Sequence, residues 1–146
     1  MYVKSIFLLI TIMTFVALNI IKPVKSMSAD QIEKMAKNMR KSCLQKIATT
    51  EELIEGMRRG EFPDDHDLQC YTTCIMKLLR TFKNGNIDFD MLVKQLELTM
   101  SPEEVVIGKE IVAVCRNEEY TGDDCQKTYQ YVQCHYKQNP EKFFFP

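Results

Sequence analysis

Six cysteines and two histidines are the residues of this chain whose side chains could carry chemistry. Intervals of 26, 3, 40, 9 and 8 residues separate the cysteines, beginning at Cys43. Cysteine thiolates act as nucleophiles or zinc ligands, and paired cysteines form disulfides. The interval between Cys70 and Cys74 suits two zinc ligands on one helical turn. An even number of cysteines in a short exported chain instead predicts three disulfides.

The first 26 residues decide between a zinc site and disulfides. A short basic start at residues 1–4 is followed by an apolar run at residues 6–21, which Asn19 interrupts. Residues 24–26 then precede a suitable cleavage position after Ser26. The order is typical of a signal peptide, and the run is shorter than the roughly 20 residues that span a bilayer. We therefore predict a secreted, extracellular domain of residues 27–146 with three disulfides and no metal site.

The charge of the mature chain excludes several classes of partner. Removing residues 1–26 takes away three lysines and no acid, which changes the formal net charge from −1 to −4. A mildly acidic chain without a basic run is unsuited to nucleic acid, because neutralisation of phosphates drives that binding. A length of about 120 residues suits a single domain.

Neither histidine lies in a catalytic pattern. His66 follows two aspartates and precedes a third, which is typical of a solvated turn, and His135 lies on the last predicted helix. No serine–histidine arrangement, zinc-protease helix or phosphate-binding loop accompanies them. We predict that the protein is not an enzyme and needs no cofactor.

Apolar residues recur at the helical period along nearly the whole mature chain, which predicts an all-α fold of about six helices without a convincing strand pair. The helix starts are predicted at Ser28, Thr49, Asp88 and Ser101, where a capping side chain precedes an apolar stripe. The clearest helix has its stripe from Leu68 to Phe82, and residues 84–86 end it. The stripes are expected to form core.

Helix geometry removes some of the fifteen pairings that six cysteines allow. Cys125 and Cys134 lie about 13.5 Å apart along one helix, beyond the roughly 7 Å that a disulfide spans. Cys70 and Cys74 point the same way from adjacent turns, so each should reach another element. Ten pairings remain.

The cysteine intervals, with an export signal and six helices, resemble the six-cysteine insect odorant-binding proteins of the pheromone-binding and general odorant-binding family. The intervals of three and eight residues are the specific part of the match. The stretches 60–63 and 67–74 and the ending 142–146 are similar to a fruit-fly member that senses alcohols and pheromones. That member has a small hydroxyl residue where this chain has Met76.

This resemblance implies an interlocked pairing and a function. The pairs would be Cys43–Cys74, Cys70–Cys125 and Cys115–Cys134, and the helices would enclose an internal apolar pocket. The implied function is a secreted carrier that takes small hydrophobic odorants or pheromones through aqueous sensory fluid to receptors. The alternatives are a non-olfactory carrier in saliva, haemolymph or reproductive fluid, and a disulfide-stapled interaction or defence protein with a filled core.

Helical phase and family likeness together place the ligand against the middle helices and the helix that closes them. The expected partners are the small hydrophobic ligand, an odorant receptor or membrane surface at delivery, and a second copy of the chain in a homodimer. The candidate ligand-binding residues are Met76, Thr81, Ile87, Leu92, Leu96, Ile111, Val112, Thr128 and Val132.

The last residues of the chain put three aromatic rings beyond Pro140, which stops the preceding helix. In an extended tail Phe143 and Phe145 point one way and Phe144 the other, so two rings can turn inward and close a pocket. All three are candidate ligand contacts. Acidification would charge His135, whose reference pKa lies near 6.5, and release the tail and ligand.

Overall fold

The computed structural model describes residues 26–146, so all but the last residue of the predicted export signal lies outside the described residues. Within that range the chain forms six α-helices and one two-stranded hairpin, which confirms the all-α class. No helix in the described range is long and apolar enough to cross a membrane. The helices are α1 Ala29–Leu44, α2 Glu51–Arg58, α3 His66–Leu78, α4 Phe89–Thr99, α5 Pro102–Cys115 and α6 Asp124–Gln138.

Side chains at the helix starts confirm most of the predicted caps. Ser28 and Ser101 each begin a capping box, and the Asp88 side chain accepts from the Met91 amide. The cap predicted at Thr49 is wrong by one residue. Thr50 caps α2 instead, and the buried hydroxyl of Thr49 has no hydrogen-bond partner within residues 26–146.

The predicted extent of the third helix and the absence of strands are both wrong. The helix ends at Leu78, and Arg80 takes a left-handed φ of 60° in a Schellman motif, with the Thr81 amide bonded to the Met76 carbonyl. The chain then forms a hairpin of β1 (Phe82–Lys83) and β2 (Asn86–Ile87). Asn84 and Gly85 both have positive φ, as a tight hairpin turn requires.

The core lies between α3 and α6, which pack side by side. Leu68, Tyr71 and Ile75 are fully buried on α3, and Val132 of α6 is 1% exposed. α4 and α5 form a second antiparallel pair, and α1 packs on α3. None of the α4 residues is fully buried, because this helix covers the core only from one side.

Three disulfides connect these helices, with the pairing that the family resemblance implies. One joins α1 to α3 and one joins α3 to the start of α6, with Cα atoms 5.9 and 4.4 Å apart. The third joins the end of α5 to α6 across 5.9 Å. No cysteine in residues 26–146 is free. The pairs are Cys43–Cys74, Cys70–Cys125 and Cys115–Cys134.

Gly60, which follows α2, can be replaced only at a cost to stability. Its φ is +87°, and a Cβ atom there would lie 2.6 Å from the Tyr136 Cζ atom. We expect Gly60→Ala to lower the free energy of unfolding by about 2–4 kcal/mol, through backbone strain and crowding together. Gly85→Ala is the control, because its φ is +74° but its nearest neighbour is 3.6 Å away. Gly85→Ala should lower the free energy of unfolding by about 1–2 kcal/mol in the same denaturant titration. Equal losses in the two variants would show that crowding against Tyr136 contributes nothing.

Candidate ligand-binding cavity

The described part of the chain has a cavity of about 680 Å³ beside the α3–α6 core. The first half of α1 forms one wall and the facing ends of α4 and α5 form the opposite wall. The end of α6 and the C-terminal tail close one side. These segments meet only in the folded chain, because the first and last of them lie more than a hundred residues apart in the sequence.

The walls of the cavity are mainly apolar. On α1, Ala29, Ile32 and Ala36 recur at helical spacing and share one face of the helix, which borders the cavity. Residues from α4, α5 and the tail complete the apolar surface. They are Leu96, Met100, Ile107, Ile111 and Phe144.

Gly108 lets α4 and α5 approach closely enough to shape this wall. A Cβ atom at Gly108 would lie 2.8 Å from the Leu96 Cδ1 atom. The Leu96 side chain therefore occupies the space that a larger residue would need, and it borders the cavity from there. The small residue on one helix thus determines how far the opposite side chain extends into the cavity.

Charged side chains around the cavity are largely paired with one another. The Arg40 guanidinium lies 2.9 Å from a Glu51 carboxylate oxygen and 2.7 Å from one of Glu55. The hydrogen bond from Arg40 holds the pKa of the Glu55 carboxyl below its usual range. Lys37 pairs with Glu33 at 2.8 Å on the exposed face of α1. Paired charges of opposite sign leave the rim polar without giving it a single strong charge.

The C-terminal tail is anchored to the core by two side chains from distant helices. The buried Tyr71 hydroxyl donates to the Pro146 carbonyl at 2.8 Å, and burial raises the pKa of Tyr71 to about 12, so it stays a donor. Arg58 donates to the Phe145 carbonyl from Nε and Nη2, at 3.2 and 3.0 Å. The Phe145 ring itself is 8% exposed.

The side chains of the three tail phenylalanines alternate in direction, as an extended chain requires, and each ring makes different contacts. Phe145 is in the core, and half-buried Phe143 packs edge-on against His135 and Tyr136, at centroid distances of 5.5 and 5.2 Å. Phe144 points the other way, stacks under Arg58 at 5.0 Å, and is the tail ring that borders the cavity. The tail closes the cavity through its outward ring, whereas the inward rings hold it in place.

The structure brings only some of the sequence-predicted residues together. Leu96, Ile111, Phe144 and His135 border the cavity. Ile87 lies on the hairpin and Leu92 on the core side of α4, both half-buried. The others are buried elsewhere in the packed core: Met76, Thr81, Val112, Thr128, Val132 and Phe145.

The hydrogen bonds of the buried threonines explain why their side chains lie outside the cavity. The Thr128 hydroxyl lies 2.8 Å from that of Thr72 and 2.7 Å from that of Thr73, so it joins α6 to α3. Thr81 donates to the Met76 carbonyl at 3.2 Å. Their hydrogen bonds are made within the protein, and they have no surface to offer a ligand. The apolar residues of α1 that border the cavity were expected to form core, because apolar residues have the same helical spacing on a packed face and on a face that borders a cavity.

His135 borders the cavity, and its pKa differs from the reference value on which the expected acid release was based. Burial lowers the pKa of His135 to about 4, so the folded protein keeps the imidazole neutral at pH 5. An unfolded histidine titrates near pH 6.5, so this group contributes stability above that pH and loses it as the pH falls towards 4. The lowered pKa moves any charging of this ring to a more acidic pH than the reference value, and release of the tail and ligand on acidification stays a prediction.

Comparison with known proteins agrees with this architecture. The family model described as the PBP/GOBP family matches residues 25–138. The structure is similar to odorant binding protein 5 of Apis mellifera, with 92% identity and a TM-score of 0.82, covering 84% of this chain and all of that one. It is also similar to odorant binding protein 4 of Chrysopa pallens, with 32% identity and a TM-score of 0.75 over 82% and 99% of the two chains.

A sequence relative supports the same comparison. The chain is 29% identical to general odorant-binding protein 72 of Anopheles gambiae over 123 residues, which are 83% of this chain and all of the relative. The resemblance expected from the cysteine intervals is therefore confirmed along residues 25–138. This chain belongs to the PBP/GOBP family.

Proposed function

We propose that this protein is a carrier that holds a small hydrophobic odorant or pheromone in the cavity between α1, α4, α5 and the tail. The observation that carries the proposal is the cavity itself, about 680 Å³ with mainly apolar walls. Sites for small molecules typically measure about 300–1,000 Å³ and have this composition. A filled-core interaction protein would not contain such a space. Carriage of a ligand requires no chemical transformation.

An apolar cavity of this kind can bind usefully without a strong polar anchor. Micromolar affinity corresponds to about −8 kcal/mol. For a ligand of about 18 non-hydrogen atoms this is roughly 0.45 kcal/mol per atom, which lies within the range observed for small ligands. Burial of the ligand's apolar surface, at about 25 cal/mol per Å², supplies energy of that order.

Secretion and delivery belong to the same proposal. Residues 1–26 have the order of a signal peptide, and the three disulfides of the described domain are typical of an oxidising compartment. The mature domain would then be residues 27–146, released into extracellular sensory fluid. We propose that the ligand passes from it to a receptor or a membrane surface. Formation of a homodimer stays a prediction, and carriage in a non-olfactory fluid is the less favoured alternative.

Replacing Leu96 by Trp tests whether the cavity is the binding site. The larger ring would project from α4 into the cavity, so we expect the affinity for a long-chain alcohol to fall about ten-fold, or about 1.4 kcal/mol. Displacement of an environment-sensitive fluorescent probe measures this. Leu98→Trp is the matched control, because Leu98 is on the same helix and 56% exposed away from the cavity. Unchanged affinity in both Leu96→Trp and Ile111→Trp would place the ligand elsewhere.

A further inference from the structure

His135 differs from the other polar side chains around the cavity because its ring has no polar partner. It lies on α6 with one face towards the cavity, between the rings of Tyr131 and Phe143 at 6.3 and 5.5 Å. These rings flank the imidazole without forming a hydrogen bond to its nitrogens, although Tyr131 carries a hydroxyl. Within residues 26–146 no hydrogen bond and no nearby charge acts on it, since burial is the whole cause of its lowered pKa.

The neutral ring provides two complementary hydrogen-bonding groups. A neutral imidazole has one N–H donor and one nitrogen acceptor, and a ligand that covers them without bonding to them displaces their water at a cost. Most other polar groups of the lining are engaged. Arg40 binds two glutamates, Arg58 binds the Phe145 carbonyl, and the Glu104 carboxylate accepts from Ser101. The Asn139 oxygen accepts from the Lys142 amide, and the Lys142 side chain is charged and exposed. His135 is therefore the neutral, half-buried side chain of the lining that has no hydrogen-bond partner within residues 26–146.

We propose that His135 forms the hydrogen bond by which the cavity recognises a neutral oxygen atom of the ligand. The inference rests on the proposed carrier function and adds a specificity-determining residue to it. A hydroxyl can donate to or accept from the ring, and a carbonyl oxygen can accept from its N–H. A hydrocarbon would cover the ring and leave both groups unpaired.

The expected discrimination is moderate. A neutral hydrogen bond that replaces bonds to water changes an equilibrium by about three- to ten-fold. Hydrocarbons leave water more readily than alcohols, so a direct comparison of two affinities would mix that effect with recognition. The informative quantity is the ratio of the alcohol and alkane affinities in one protein, divided by the same ratio in a variant.

The experiment uses the full disulfide-bonded domain with a 1-alkanol and the n-alkane of equal non-hydrogen atom count. His135→Phe keeps an aromatic ring and removes both nitrogens, so the alcohol-to-alkane ratio should fall three- to ten-fold. His66→Phe is the matched control, because His66 is exposed at the start of α3, pairs with Asp123 and lies outside the cavity. Its ratio should equal that of the unmodified protein. His135→Gln, which retains a donor and an acceptor, should keep part of the discrimination.

A measurement on the unmodified protein avoids any effect of substitution on folding. Nuclear Overhauser effects between the His135 ring protons and the oxygen-bearing CH₂ of the bound alcohol are expected. Contacts from that ring only to the ligand's terminal methyl would overturn the proposal, as would an unchanged ratio in a folded His135→Phe protein. A matched fatty acid that binds far more tightly and is indifferent to His135→Phe would assign recognition to the basic side chains instead. If neither alcohol nor alkane displaces the probe from the unmodified protein, the carrier function itself fails.

Discussion

Removing residues 143–146 is expected to weaken binding of a long-chain alcohol at pH 7 by at least ten-fold and to lower the stability of the whole domain. The tail supplies Phe144 to the cavity wall and Phe145 to the core. Its loss would open the cavity to solvent between α1 and α6. The truncation keeps the 3₁₀ turn at Pro140–Lys142 and the bond from the Lys142 amide to the Asn139 side chain that caps its start, and it removes the Phe143 amide that bonds to the Pro140 carbonyl.

The size of the effect follows from what the tail contributes. Burial of the Phe145 ring is worth about 1.5–3 kcal/mol, and its carbonyl receives a charge-assisted bond from Arg58. Truncation would also leave the Tyr71 hydroxyl buried without its acceptor, at about 1–3 kcal/mol. We expect a total loss of at least about 3 kcal/mol in denaturant unfolding with the disulfides intact.

Single substitutions separate the two roles of the tail. Phe145→Ala should lower the free energy of unfolding by about 3–5 kcal/mol, as for other buried aromatic rings. Phe144→Ala should cost less than about 1 kcal/mol, since that ring is 37% exposed, but should still weaken binding. A truncated protein with unchanged stability and affinity would show that the tail merely trails in solvent.

Replacing Cys43 and Cys74 together by alanine is expected to remove ligand binding while most of the core remains. This disulfide joins α1 to α3, and the first half of α1 is a wall of the cavity. Opening a loop of 31 residues costs about 4 kcal/mol in the chain-entropy view. The contacts between Arg40 and the glutamates of α2 remain, but they lie at the protein surface and hold α1 weakly.

The disulfide Cys115–Cys134 provides the matched control. Its 19-residue separation predicts a loss of about 3 kcal/mol, close to that of the first pair. It joins the far end of α5 to α6, so the apolar wall of α1 stays in place. Binding, measured by probe displacement below the unfolding transition, should be reduced much more by loss of Cys43–Cys74. Equal reductions in both double variants would contradict the role of α1 as a cavity wall.

Local chemistry determined most helix starts in advance of the structure. Ser28, Asp88 and Ser101 cap helices because a side-chain oxygen needs only the amides of the next turn, which are always near in sequence. The end of α3 was missed because Arg80 occupies the left-handed position that glycine usually takes. Without that glycine, the apolar stripe appeared to continue to Phe82.

The sequence by itself determined the all-α class, the number of disulfides and the alternation of the tail, since each follows from spacing along the chain. Only the tertiary structure decided which apolar faces border empty space. Leu96 and Thr128 both fit a helical stripe, yet Leu96 borders the cavity and Thr128 bonds to α3. The neutral state of His135 was likewise invisible, because burial by distant segments sets its pKa. A cavity is the space left between helices that are remote in sequence, and no local pattern of residues specifies how those helices pack.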